Sequence, residues 1–103
     1  MTYASYTEFQ PAGGKGDDLL AALTEAAAQM TPVAACLHYL VGRNVATGAI
    51  GVWEVWTGKD GHDASLEDPQ TRALITQTMP LISGINGPFV LDLDGGKGFP
   101  EKV

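Results

Sequence analysis

The sequence predicts an α+β fold of the ferredoxin-like type, with helices covering one face of a four-stranded antiparallel sheet. Three observations carry that expectation. Four β-rich runs are separated by two helical stripes, their order is βαββαβ, and turn residues between the second and third runs suit a hairpin. At 103 residues the chain is expected to form one domain over 1–103, since domains average roughly 100 to 200 residues.

The first run, Thr2 to Gln10, alternates as a pleated strand does: Tyr3, Ser5, Thr7 and Phe9 share one face, Ala4, Tyr6 and Glu8 the other. Pro11 and the run Gly13-Gly14-Lys15-Gly16 end it. Asp17 and Asp18 then sit where carboxylates meet the free N–H groups of a helix start. Leu19, Leu20, Leu23, Ala26, Ala27 and Met30 recur at the spacing of one helical face, and Thr31-Pro32 closes that helix.

From Ala34 to Asn44, the residues Ala35, Leu37, Tyr39 and Val41 share one strand face and Cys36, His38 and Leu40 the other, with both faces expected to be partly buried. Turn residues from Asn44 to Gly48 lead into the β-rich run Ile50 to Thr57, so the two runs are expected to pair as a hairpin. A polar stretch then reaches Asp68-Pro69, an N-cap followed by proline at the first helical position. Leu74, Ile75, Leu81 and Ile82 continue a helical stripe, which Pro80 should kink or shorten. Phe89, Leu91 and Leu93 alternate with Val90, Asp92 and Asp94 in a last strand. A glycine-rich tail from Gly95 to Val103 is expected to be flexible or to contact a partner.

On the third strand Val52, Glu54 and Trp56 face one side and Gly51, Trp53 and Val55 the other, so neither side is a plain solvent face. Helices cover one side; a homodimer packed sheet on sheet would cover the second.

Composition narrows the function classes. Six Lys plus Arg against twelve Asp plus Glu give a net charge of -6, the wrong sign for a phosphate backbone, so neither nucleic acid nor an anionic membrane is an expected partner. Cys36 is the single cysteine and cannot make an internal disulfide, and with two histidines it is too little for a closed structural zinc site. The chain therefore reads as cytoplasmic and without a metal. No basic start with an apolar run, and no stretch of about 18 apolar residues, marks a targeting or membrane segment. Neither Gly-Gly-Lys-Gly run is followed by Ser or Thr as a phosphate loop requires, and Asp60, Asp63, Glu67 and Asp68 lack the spacing of a calcium loop.

The run Trp53-Glu54-Val55-Trp56-Thr57-Gly58-Lys59-Asp60-Gly61-His62-Asp63-Ala64-Ser65-Leu66-Glu67-Asp68-Pro69 resembles the signature of the antibiotic biosynthesis monooxygenase family. The Gly-Lys-Gly-Asp-Asp helix opening, Ala35-Cys36-Leu37-x-Tyr39 and Met79-Pro80-Leu81-Ile82 are similar to the family as well, so the resemblance covers nearly the whole chain. It implies a quinol monooxygenase-like dimeric α+β barrel that uses molecular oxygen to oxidise a phenol, anthrone or hydroquinone, with no cofactor. In such chemistry the substrate supplies the electrons. Loss of a proton makes an electron-rich anion, so the protein needs a dry pocket, a proton acceptor and a group that stabilises charge. The resemblance places that pocket between the sheet and the helices.

His62, just beyond the Trp56 strand end, is the first candidate base, because an ordinary imidazole titrates near pH 6.5. Trp56 is a candidate for stacking on a flat substrate, and Tyr39 offers a phenolic hydroxyl to a substrate oxygen. Glu54 shares the Trp56 face, where a carboxylate must be paired, hydrogen-bonded or raised in pKa. A backbone amide or an arginine across a dimer would be its ordinary partner. His38, Arg72 and Ser65 complete the candidate substrate-binding set: His38 as a mid-strand imidazole, Arg72 as a cation for a developing phenolate, and Ser65 as a hydroxyl. Two other functions stay open, a non-catalytic small-molecule-binding barrel and a haem-degrading relative. Against the latter, Pro69 to Ile82 contains no histidine to bind iron, and Ser65 stands where those relatives carry Trp.

Overall fold

A computed structural model describes residues 2–98 and shows the ferredoxin-like α+β fold. Its elements are β1 (Thr2–Pro11), α1 (Gly16–Gln29), β2 (Cys36–Arg43), β3 (Ile50–Trp56), α2 (Lys59–Glu67), α3 (Pro69–Thr78), a 3-10 turn (Met79–Leu81) and β4 (Ile82–Leu93). All neighbours in the sheet order β2-β3-β1-β4 are antiparallel.

Local chemistry accounts for most of these boundaries. Asp17 and Asp18 lie in the first turn of α1, where the helix dipole favours them. The β2–β3 hairpin is closed by Asn44, whose side-chain oxygen accepts the N–H groups of Ala46 and Thr47 at 2.9 and 3.2 Å, and by Gly48 at φ +80. Asp68 caps α3 by accepting the Gln70 N–H at 2.8 Å, with Pro69 at the first helical position.

Three expectations need correction. Residues 59–67 form the helix α2 instead of a polar loop, so two short helices precede β4. Pro80 does shorten the following helix, but the stripe does not run on to Ile82, which opens β4; that strand begins seven residues before Phe89. The outer face of β2 is open within the chain, with His38 exposed and Leu40 58% exposed. The tail beyond Gly98 lies outside the described residues. Among those residues no helix is long and apolar enough to cross a membrane.

Cross-strand register decides which side chains share a face. Leu40, Trp53, Tyr6 and Phe89 form one row across all four strands on the side away from the helices, and Phe89 is about half exposed there. On the helix side, Leu19, Leu23, Ile50 and Val52 make a buried cluster joined by Phe9, Val41 and Leu81. That packing fills one end of the layer and leaves space at the other, under α2 and α3.

Candidate functional site

Alternation along β3 turns Glu54 and Trp56 to the helix side. Tyr39, Glu54 and Ser5 stand in one row across β2, β3 and β1, and the next row sets Trp56 beside Tyr3. Being two residues apart on one face, Trp56 and Glu54 meet: the indole Nε1–H donates to Glu54 Oε1 at 3.0 Å. Trp56 is 1% exposed, so its ring is fixed by packing as well as by this bond.

Above this floor lies a cavity of about 220 Å³. Leu23, Ala26 and Met30 line it at α1, and Thr71, Leu74, Ile75 and Thr78, one stripe of α3, line it opposite. Its polar groups are few. Among the described residues its titratable side chains are Glu54, His62 and Tyr39, and neither Lys nor Arg borders it.

Gly61 lets α2 come close to the sheet. A Cβ at that position would lie 2.7 Å from the Ala35 Cβ and 3.7 Å from Trp56 Cε3. The next residue, His62, is thereby brought against Trp56, edge-on at a centroid distance of 5.7 Å, and over Tyr3 at 4.7 Å. Its Nδ1 is 3.1 Å from Asp63 Oδ1, while Asp63 Oδ2 meets Lys59 Nζ at 2.6 Å. The hydrogen bond from Lys59, and then that from His62, hold the Asp63 carboxyl below the usual carboxylate range. An ionised carboxylate only accepts, so Nδ1 carries a hydrogen, and in the neutral ring the lone pair is then on Nε2. Ser65 Oγ donates to the His62 carbonyl at 2.6 Å, which leaves its lone pairs for a ligand.

The other titratable groups divide by environment. Burial, then the neighbouring Glu54 and Cys36, push the Tyr39 phenol well above its ordinary range, so Tyr39 acts as a hydrogen-bond donor and not as a base. Burial and Glu54 push the Cys36 thiol up to about 11, which makes it inert at neutral pH. Burial raises the Glu54 carboxyl, against the opposing Trp56 hydrogen bond and the His62 charge. A group raised in the folded state holds its proton more tightly there than in the unfolded chain. Its contribution is fully present below the ordinary glutamate range and is lost as pH rises through the folded value. Glu54→Gln is therefore expected to raise Tm at pH 8, with the gain shrinking as pH falls toward 4. Thermal melts across that range check it, and a gain that is constant with pH would contradict it.

The structure gathers His62, Trp56, Tyr39, Glu54 and Ser65 around one cavity and leaves out two candidates. His38 is exposed on the outer face, one residue out of phase with Tyr39 after a register shift between Cys36 and His38. Arg72 is exposed because the cavity stripe of α3 passes through 71, 74, 75 and 78, about 100° from position 72. Within the chain, the partner of Glu54 among the described residues is the Trp56 indole. Sequence reasoning missed Tyr3 as the platform under His62, although its pairing with Trp56 follows from a β1–β3 register. It also missed Thr71 and Thr78, which the helical spacing of Leu74 and Ile75 marks out.

No protein-family model and no curated protein matches the chain. Among solved structures, a candidate antibiotic biosynthesis monooxygenase (ABM) of Chloroflexus aurantiacus is 29% identical, superposes with a TM-score of 0.85, and pairs 97% of this chain with 100% of its own. The ABM family is thereby supported. SnoaB of Streptomyces nogalater, named as a cofactor-independent oxygenase, is 13% identical over 94% of this chain and 97% of its own, with a TM-score of 0.78. A candidate ABM protein of Deinococcus radiodurans is 17% identical over 93% of this chain and 95% of its own, also with a TM-score of 0.78. At such identities these two show the ABM fold alone.

Proposed function

We propose that this ABM-fold protein is a cofactor-independent monooxygenase that oxidises a phenolic, anthrone or hydroquinone-type aromatic with molecular oxygen. The observation that carries the proposal is His62: an imidazole bordering a largely apolar cavity, held by Asp63 through Nδ1 and by the rings of Tyr3 and Trp56. Such an arrangement suits Nε2 to take a phenolic proton. Asp63 keeps its hold on Nδ1 while Tyr39 donates to the substrate oxygen and Trp56 offers its ring to the substrate. The phenolate then reduces oxygen. One oxygen atom enters the ring, the other leaves as water, and both reducing pairs come from the substrate.

A homodimer accompanies this proposal, supported by the open apolar row of Leu40, Trp53, Tyr6 and Phe89, and a cytoplasmic setting is supported by the single thiol. Oxygen uptake by chelator-treated, flavin-free protein is the test, with naphthohydroquinone as substrate and its autoxidation subtracted. Protein-dependent uptake is expected. Tight binding of the hydroquinone with uptake no faster than autoxidation would instead make the cavity a binding site without chemistry.

A further inference from the structure

The cavity limits both the size and the charge of what it can hold. A cavity of about 150 Å³ takes one benzene ring. The space here, about 220 Å³ and partly open, has room to bury a second fused ring, and a third would project from its mouth. The sheet side is polar, with Tyr39 opposite Glu54 in register and Glu54 bonded to Trp56; α2 adds His62 and Ser65 and α3 the hydroxyls of Thr71 and Thr78, while Leu23, Leu74, Ile75 and Met79 are apolar. A ligand therefore places one polar end at the floor.

Charge follows from the lining. Among the described residues no Lys or Arg borders the cavity, and the nearby Lys59 ammonium is taken up by Asp63. A carboxylate or phosphate on the ligand would be buried near Glu54 with no permanent cation to pair with, only the His62 imidazole, which would have to take up a further proton to serve, and that is costly. A phenol differs, because its proton stays in the site on His62 and no net charge is brought in.

We infer that, of the aromatics proposed above, the cavity selects neutral phenols or hydroquinones of one or two fused rings over three-ring anthrones, and turns away aromatic acids. The role of the phenolic proton rests on the proposed oxygenase function; the size and charge limits do not.

Calorimetric titration of the whole protein without oxygen tests this, with α-naphthol, α-naphthoate, α-naphthylmethylammonium and anthrone as probes. Naphthol is expected to bind at least about tenfold more tightly than each of the others, the discrimination that one unpaired charge or one misfit group gives. Met79 borders the cavity yet is 52% exposed, so Met79→Ala widens the space at little cost to folding, and it should narrow the naphthol–anthrone gap to about threefold. Equal binding of naphthoate or anthrone, stronger binding of the ammonium probe, or no binding of naphthol would each overturn the inference. Naphthol bound selectively but never consumed once air is admitted would sustain the selectivity and remove the oxygenase function.

Discussion

His62→Gln is expected to slow turnover of a phenolic substrate by about 10²- to 10⁴-fold, the usual worth of a positioned general base. Glutamine keeps polar atoms near Asp63 but offers no nitrogen lone pair to accept a proton. Substrate binding should change little, since stacking near Trp56 and the apolar side chains of Leu23, Leu74 and Ile75 remain. The loss should therefore appear in kcat and leave KM nearly alone. Asp63→Asn is the companion variant. An amide NH₂ can donate where the carboxylate only accepted, so the Nδ1 hydrogen is no longer enforced and turnover should fall without a change in fold. Full activity in His62→Gln would remove the base from the mechanism.

Gly61→Ala is expected to damage stability and turnover together. Within a helix the change from glycine to alanine favours folding by roughly 1 kcal/mol. Here the new methyl would come 2.7 Å from the Ala35 Cβ. Ala35 cannot retreat freely, because its carbonyl accepts the Thr57 N–H at 2.9 Å and so ties it to the end of β3. Overpacking of this kind costs about 1–3 kcal/mol, which meets or exceeds the helical gain. The relief open to the chain is an outward shift of α2, and that carries His62 away from Trp56 and the cavity. Misplacement of a catalytic group by about 1 Å costs on the order of 10²-fold in rate. Ala35→Gly should rescue the double variant, and a double-mutant cycle on Tm and kcat reads the coupling directly. Independent effects at the two positions would contradict the account.

The hairpin, α1 and the two faces of β3 were legible because each rests on local chemistry: Asn44 and Gly48 in the turn, the Leu19–Leu23 spacing in the helix, and strict alternation from Val52 to Trp56. Helix α2 was not. Gly58 caps it without a side-chain bond, Gly61 sits inside it, and it buries no residue completely, so nothing local distinguishes Lys59–Glu67 from a loop. What holds it is tertiary, the approach of Gly61 to Ala35 and Trp56. The start of β4 was hidden for a similar reason. Gly84, Asn86, Gly87 and Pro88 are poor strand formers, yet pairing with β1 carries the strand through them with a register shift between Tyr6 and Glu8. At the site, the pairing of Glu54 with Trp56 needed only the period of a strand. The grip of Tyr3, Trp56 and Asp63 on His62 needed α2 in place, and the exposure of Arg72 needed the rotation of α3.

The most direct test of the central claim is a single turnover of naphthohydroquinone under oxygen gas labelled with the heavy isotope, using chelator-treated protein and reading the product by mass. One labelled oxygen atom in the hydroxylated quinone, formed faster than in protein-free solution, is the result expected of an oxygenase working through its own side chains. A product without the label, or one formed no faster than without protein, would contradict it.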